Sequence, residues 1–238
     1  PMLRSIAAEA RLPDPLHLEG WEKQDEPMAT DWHHREQDYC CAVLRERFAG
    51  PSCYVTRDRW LLMDPAKPTD KLLPDLLVAL GVPDYNREEY DPVVEGKSPD
   101  LLAELLSKDT RRVDMEEKRG RYAKLGVREY FVFNPEKRFH LPRIHSWTLR
   151  RDGSAAPLPT GPDGGIASTV LPVSFVIRDD YLAVLDHPTG EPASPLAGAY
   201  LRLHEQEAAR QQAEAAHERA KAEIQRLRAL LEQQGNHH

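Results

Sequence analysis

Residues 101–107 read LLAELLS, an apolar run with one charged residue, Glu104, at its centre. The run has the length and composition of a β-strand, in which successive side chains point to opposite faces of a sheet. Leu102 and Leu106 would then share one face with Glu104, and the other face would carry Leu101, Ala103 and Leu105. An ionised carboxylate inside such a strand is costly unless it is paired or binds a metal ion. The run therefore predicts a partner for Glu104 elsewhere in the chain.

The segments that follow this run predict a crossover unit. Residues 113–126, VDMEEKRGRYAKLG, have the pattern of a helix that ends at Gly126, because glycine is a common residue just past a helix C-terminus. Residues 128–135, REYFVFNP, are aromatic and β-branched, and they predict another strand. A strand, a helix and a strand with this spacing place two parallel strands in one sheet.

The rest of the central region predicts one long helix, several strands and a short closing helix. The first helix is expected over residues 31–48, DWHHREQDYCCAVLRERF. Strands are expected over CYVT and WLLM as a hairpin (53–63), over LLPDLLVAL as a central strand (72–80), and over RIHSWTLR (143–150) and STVLPVSFVI (168–177). DDYLAVL, residues 179–185, is expected to form the closing helix. The fold class would be α/β, a mixed sheet flanked by helices.

Three regions of the chain differ in character. Residues 1–30 are rich in proline and acids without a period, which predicts an extended arm before a globular domain at residues 31–195. Residues 196–238 have helical composition and predict a coiled coil. Its seam positions fall alternately four and three residues apart, at Ala213, His217, Ala220, Ile224, Leu227 and Leu231. This seam predicts a homodimer; the alternative is a single long helix folded back on its own domain.

Composition and charge restrict the class of protein. With 238 residues, 40% hydrophobic and 30% charged, the chain has room for one sizeable core and an appendage. It contains no apolar stretch of the roughly 18 residues that a membrane span needs, so no membrane partner and a cytoplasmic location are expected. The net charge of −7 disfavours a protein that coats nucleic acid generically.

Local charge departs from this average between residues 111 and 128. Seven basic side chains stand there against three acidic ones. A solvated helix face is the ordinary interpretation of such a run. The alternative is a nucleic-acid contact, and the candidate residues for it are Arg111, Arg112, Arg119 and Arg121.

A lysine interrupts the apolar stripe of the crossover helix. Met115, Tyr122 and Leu125 are spaced by seven and three residues and mark the face that would pack on the sheet. Lys118 lies three residues after Met115 and four before Tyr122, inside that stripe. A lysine in this position often extends its ammonium group to water. Alternatively, it meets an acid inside the fold.

A second acid occupies an apolar segment, because Asp75 lies within LLPDLLVAL as Glu104 lies within LLAELLS. Taken singly, such an acid usually marks a strand edge or end. Two carboxylates that converge repel one another unless a cation lies between them, and oxygen ligands suit a hard divalent ion, Mg²⁺ or Mn²⁺. Asp75, Glu104 and Lys118 together predict a metal site with an ammonium group beside it.

The pattern of Pro74-Asp75, then Glu104 in AELLS, then EKRGRYAKLGVREYFVFNP resembles the PD-(D/E)XK nuclease superfamily, and within it the Uma-type restriction endonuclease family. The resemblance covers roughly residues 30–185 and implies a restriction-endonuclease-like fold. Leu106 stands where the usual motif has its lysine, and Lys118 matches a lysine moved onto the helix. The resemblance further implies Asp75, Glu104 and the backbone carbonyl of Leu105 as metal ligands, with Lys118 orienting the attacking water.

Further residues are candidates for an accessory role in this site. They are Glu36 or His34 on the first helix, and Tyr122 beside Lys118. The leading hypothesis is a metal-dependent DNA endonuclease. One alternative is a non-catalytic module of the same fold, in which the acids and the lysine form a buried ion pair and the coiled coil recruits a partner. A third hypothesis is a nuclease that acts on RNA or on single-stranded or branched DNA.

Overall fold

The computed structural model describes residues 31–50, 52–106, 113–134, 142–178, 181–187 and 189–235. The extended arm predicted for residues 1–30 lies outside these ranges. The helices are α1 (Asp31–Arg47), a π-helical segment (Val113–Lys118) continued by α2 (Arg119–Leu125), and α3 (Pro195–Gly235). The strands are β1 (Cys53–Thr56), β2 (Trp60–Leu62), β3 (Lys71–Leu72), β4 (Leu76–Leu80), β5 (Glu89–Tyr90), β6 (Leu101–Leu105), β7 (Glu129–Phe133), β8 (Ile144–Leu149), β9 (Ala155–Pro157), β10 (Ile166–Ala167), β11 (Val173–Arg178) and β12 (Tyr181–Asp186). The α/β class predicted from the sequence is confirmed.

The central sheet has six strands in the order β1-β4-β6-β7-β8-β9. Its middle pair, β6 and β7, is parallel, and the neighbouring strands run antiparallel. This confirms the crossover unit predicted from the sequence. All five residues of β6 and all five of β7 are buried, which explains why both strands are almost wholly apolar.

The sheet separates two apolar layers. On one face, α1 and the sheet β10-β11-β12 pack against side chains such as Leu101, Ala103 and Phe131. On the other face, α2 and strands from the small sheet β3-β2-β5 pack against Leu102 and Val132. Alternation along β6 therefore places Glu104 on the face that α2 covers.

Three sequence predictions about strands and helices are wrong. β1 and β2 do not form a hairpin, because β1 pairs with β4 while β2 pairs with β3 and β5. LLPDLLVAL is not one strand: β3 ends at Leu72, β4 begins at Leu76, and Asp75 precedes β4. Pro74 lies at this break, as expected of a residue that has no N–H for a strand ladder. DDYLAVL ends in strand β12 and forms no helix, because six-residue pairing with β11 decides the state of a short apolar run.

The first turns of α3 are part of the domain. Ala197 and Leu201 are buried, and the Tyr200 ring stacks on Tyr39 of α1 with centroids 4.0 Å apart. From residue 209 to residue 228 every described residue of α3 is exposed, so the helix does not fold back on the domain over this stretch. Within the described ranges, no helix combines the length and apolar character that crossing a membrane requires.

Arg87 holds together the segment between β4 and β6 and packs it against Tyr54 of β1. Its guanidinium donates to both carboxylate oxygens of Glu95, at 2.6 and 3.0 Å, and to the backbone carbonyls of Tyr85 and Pro83. It lies over the rings of Tyr54 and Tyr85, 4.0 and 3.6 Å from their centroids. The Arg87 and Glu95 side chains are only 2% and 6% exposed. These hydrogen bonds from Arg87 lower the pKa of Glu95 below its ordinary value of 4.5.

We expect Glu95→Gln to lower the free energy of unfolding by about 3 kcal/mol, because it leaves a covered guanidinium without its counter-charge. The lowered pKa means that ionised Glu95 stabilises the fold above its unfolded pKa. This contribution is lost as the pH falls through the folded pKa. The difference between parent and variant, measured by urea unfolding, should therefore be full at neutral pH and shrink as the pH falls below the ordinary glutamate value of 4.5. Glu214→Gln, on the exposed part of α3, is the control and should change stability little. Equal stability of parent and Glu95→Gln at neutral pH would contradict the prediction.

Candidate active site

The register of β4 and β6 brings the two predicted acids together. Leu76 pairs with Ala103 in the antiparallel ladder. One further step of the same register places Asp75, just before β4, opposite Glu104. Asp75 thus lies at the strand entrance and not within the strand, yet it still reaches β6. The sequence predicted that the two acids approach each other, which the register supports, and wrongly placed Asp75 inside a strand.

Glu104 finds its partners on the crossover helix. Its side chain is 2% exposed, and its Oε2 atom lies 3.0 Å from the Nζ atom of Lys118. The hydroxyl of Tyr122 donates to its Oε1 atom at 2.9 Å. Lys118 and Tyr122 are four residues apart and therefore point the same way from the helix. The ammonium group of Lys118, whose side chain is 14% exposed, contacts the acid instead of extending fully to water.

The helical segment that carries Lys118 changes its geometry at that residue. The chain is π-helical over Val113–Lys118 and α-helical from Arg119. A π-helical turn is rare, and such turns are frequent at functional sites. It places Lys118 at the junction, directly above the face of β6 that carries Glu104.

Asp75 is held by backbone and side-chain groups. Its Oδ2 atom accepts a hydrogen bond from the Leu105 N–H at 2.7 Å, and its Oδ1 atom lies 3.3 Å from Nε2 of His33. Its backbone carbonyl accepts from Gln37 Nε2 at 3.0 Å. The N–H and C=O of one strand residue point to the same edge of the strand, so the Leu105 carbonyl faces the Asp75 side of β6.

α1 contributes to the site through residues that sequence reasoning missed. His33 and Gln37, one helical turn apart, both contact Asp75. The predicted His34 is exposed, and its ring meets the edge of His33, so it makes no described hydrogen bond to Asp75 or Glu104. The signal available in the sequence was the spacing of His33 and Gln37, which places both on one face of α1.

Glu36, the other predicted accessory residue, is committed to a different contact. It is fully buried, and its Oε2 atom accepts the N–H of Leu182 in β12 at 2.9 Å. Its Oε1 atom accepts from the Tyr200 hydroxyl at 2.6 Å and from Arg35 at 3.1 Å. Burial, and after it the hydrogen bond to Glu36, raises the pKa of Tyr200. Glu36 therefore joins α1 to β12 and α3 and makes no described hydrogen bond to Asp75.

The predicted nucleic-acid contacts are only partly described. Arg111 and Arg112 lie outside the described residues. The guanidinium of Arg119 lies 4.8 Å from the ring centroid of Trp147 in β8. Arg121 forms an ion pair with Asp70, in the turn before β3. Both described arginines thus contact this chain itself.

The donor groups at the site are oxygen atoms together with one imidazole. No cluster of three or more His, Cys, Asp or Glu side chains suited to a metal ion occurs in the part of the chain that the structure describes. Asp75 and Glu104 supply two carboxylates, and the Leu105 carbonyl lies on the Asp75 side of β6. This set fits a hard divalent ion that keeps several waters, as Mg²⁺ usually does.

Comparison with known proteins identifies the family. The sequence model of the Uma2 family, described as "Putative restriction endonuclease", matches residues 17–179. The chain belongs to the Uma2 family. The match to the Uma2 family spans α1 through β11 and includes Asp75, Glu104 and Lys118, whereas α3 lies beyond it.

Among solved structures, this Uma2 protein is similar to a bacterial protein of low sequence identity. It is described as a "putative nuclease belonging to DUF820" from Anabaena variabilis ATCC 29413. The two chains share 16% sequence identity over 60% of this chain and 75% of that one, with a TM-score of 0.42. No curated protein matches the sequence.

The Tyr122 hydroxyl should stabilise the site through its bond to a charged acceptor. We expect Tyr122→Phe to keep the fold and to lower the free energy of unfolding by about 2 kcal/mol, the range for hydrogen bonds to ionised groups. The matched control is Tyr90→Phe, which removes a buried hydroxyl bonded to the neutral Lys97 carbonyl and should cost about 1 kcal/mol. Urea unfolding measures both values. A cost for Tyr122→Phe no greater than that for Tyr90→Phe would refute this reasoning.

Proposed function

We propose that this protein is a divalent-metal-dependent endonuclease that hydrolyses phosphodiester bonds of DNA. Asp75 and Glu104 would hold Mg²⁺ or Mn²⁺, and Lys118 would orient the attacking water. The observation that carries the proposal is the contact of Lys118 with Glu104. The register of β4 and β6 places Asp75 opposite Glu104. Membership in a family whose description is "Putative restriction endonuclease" supports DNA as the substrate.

The residues present are compatible with the proposed ion. Each carboxylate oxygen has two acceptor positions, so the hydrogen bonds to Tyr122, Leu105 and Lys118 leave lone pairs available for a ligand bond. The Leu105 carbonyl would be a third ligand, and waters would complete the shell. When bound, such an ion polarises a phosphoryl oxygen and lowers the pKa of a bound water.

The protein groups have separate roles in this mechanism. Lys118 supplies a positive charge beside Glu104, where it would orient a water and stabilise negative charge that develops on the phosphate. Tyr122 fixes the orientation of Glu104. His33 and the Leu105 N–H fix the two oxygens of Asp75. Groups held in this way need little rearrangement when the substrate arrives.

Phosphate contacts must be local, because the chain as a whole carries a net charge of −7. Arg111, Arg112, Arg119 and Arg121 are proposed for this role, since they lie on or just before the helical segment that carries Lys118. Arg121 would have to exchange Asp70 for a phosphate. Arg119 could keep its contact with Trp147, because a guanidinium can stack on a ring and still donate from its edge.

A non-catalytic module remains the second candidate. The observation in its favour is that Lys118 and Glu104 already form an ion pair with 2% exposure of the acid, as a structural pair would. In that case the carboxylates would stabilise the fold and bind no ion. The two candidates predict opposite results when the charges are removed.

We expect Glu104→Gln and Asp75→Asn each to weaken Mn²⁺ binding sharply, as measured by calorimetry, because each removes a charged ligand. The variants should stay folded because both replacements preserve shape, although Glu104→Gln should lower the free energy of unfolding, since it removes the counter-charge that Glu104 supplies to Lys118. Asp100→Asn is the control. That acid lies four residues before Glu104 and contacts the Leu80 N–H, Lys97 and Arg128, so its loss should leave Mn²⁺ binding unchanged. Unfolding of Glu104→Gln, with no Mn²⁺ binding by the parent, would instead identify a structural ion pair.

Lys118→Met should separate catalysis from metal binding. The variant keeps the apolar stem of the side chain and removes the ammonium, so Mn²⁺ binding should persist or tighten. Cleavage of plasmid DNA should fall by roughly a hundredfold to ten-thousandfold, the range for loss of a positioned catalytic group. Parallel assays on single-stranded DNA and RNA identify the substrate class. A Lys118→Met variant that cleaves as well as the parent would remove the lysine from the mechanism.

A further inference from the structure

The exposed part of α3 carries large apolar side chains that the domain does not cover. Ile224 is 51% exposed and Leu227 is 50% exposed. They are three residues apart, on the same side of the helix. Ala220 and His217 continue this side toward the domain with spacings of four and three. A seam of this kind is stable in water when another helix covers it.

The seam positions have the pattern of a two-stranded coiled coil. With Leu227 at heptad position d, Ile224 falls at position a. Isoleucine at a with leucine at d favours parallel dimers. His217 takes the preceding a position and Ala220 the preceding d position. The seam becomes polar further toward the domain, where the same register meets Arg210.

Charges beside the seam distinguish a parallel from an antiparallel pair. In this register Glu223 occupies position g and Arg228 occupies position e. In a parallel dimer, g of one helix contacts e of the next heptad in the other, so Glu223 meets Arg228 of the second copy, twice by symmetry. An antiparallel pair would bring positions of the same type together and would lose this complementarity. Within its own chain Glu223 contacts Arg226 at 3.7 Å, on the exposed surface, where an ion pair contributes little.

We propose that α3 binds α3 of a second copy of this chain as a parallel, in-register coiled coil, through the seam from Ala213 to Leu227 and the Glu223–Arg228 contacts. Both domains then lie at the same end of the coil, because each α3 is anchored to its own domain by its first turns. An antiparallel pair would separate the domains by the length of the seam, about 20 Å.

Sedimentation of the full chain over a concentration series tests whether the α3 seam forms a dimer, because it measures the mass in solution. The parent should dimerise, and Ile224→Lys should be monomeric while the domain stays folded by circular dichroism. Glu223→Arg should raise the dissociation constant roughly tenfold, because two attractive contacts become repulsive. The matched control is Glu218→Arg. Glu218 is an exposed acid at position b, away from the seam, and it pairs with Lys221 of its own helix, so this change should not alter the dissociation constant. A monomeric parent, or a dimer that Ile224→Lys leaves intact, overturns the proposal.

The test of direction uses charge exchange and cross-linking. Glu223→Arg combined with Arg228→Glu should restore the parent dissociation constant in a parallel dimer, because each pair is exchanged with its polarity reversed. Leu227→Cys should form a disulfide-linked dimer on mild oxidation, since residues at d face their own copies. Gln225→Cys at the outward position b should not. The parent, oxidised in the same way, shows how much cross-linking comes from its own three free cysteines. No rescue by the double exchange and no cross-link through Leu227→Cys would overturn the parallel arrangement.

Discussion

The contact of Glu104 with Lys118 and Tyr122 constrains the whole centre of the fold. A carboxylate with 2% exposure must be paired, and both partners come from the helix that connects β6 to β7. A slip of β6 by one residue would turn Glu104 into the apolar layer under α1 and away from these partners. The unpaired charge would cost several kcal/mol, a large part of the stability of an ordinary domain. One polar contact therefore selects the strand register, the face of the sheet and the rotation of the helix together.

α1 contacts two distant parts of the chain, Asp75 before β4 and Tyr200 in α3. One side of the helix contacts Asp75 through His33 and Gln37. The buried Glu36 of the same helix accepts a hydrogen bond from the Tyr200 hydroxyl of α3. The carboxylate of Glu36 also accepts the Leu182 N–H, so α1, β12 and α3 share one acceptor group. α1 therefore contacts both Asp75 and the first turns of α3, a helix that lies beyond the residues matched by the family model.

Local patterns predicted the parts of this structure that local forces decide. The sequence correctly predicted the apolar strand around Glu104, the glycine that ends α2 and the parallel strand after it. Composition and helix signals decide these features within about 30 residues of chain. Gly126 has a φ of 96°, a conformation that glycine adopts without strain.

The sequence was less informative where pairing over long distances decides the outcome. β12 is a strand because β11 lies beside it, and nothing in DDYLAVL itself distinguishes a strand from a helix. The contact of His33 with Asp75 joins residues 42 positions apart, so helix periodicity could indicate its face but not its partner. The same limit explains why Glu36 was predicted at the site. Its position on α1 suggested a residue near the two acids, and only the packing of β12 and α3 shows which groups its carboxylate binds.

Two arginines, Arg87 and Arg121, differ in how easily they can change partner. Arg87 is 2% exposed, and its donors are occupied by Glu95 and backbone carbonyls, so moving it would leave buried polar groups without partners. Arg121 and Asp70 are each 39% exposed, and an exposed pair of this kind contributes at most about 1 kcal/mol. A DNA phosphate could replace Asp70 at little cost, because a phosphodiester carries the same single negative charge as the carboxylate. Exposed ion pairs beside the helix of Lys118 are therefore compatible with a protein of net charge −7 that binds a polyanion at one place only.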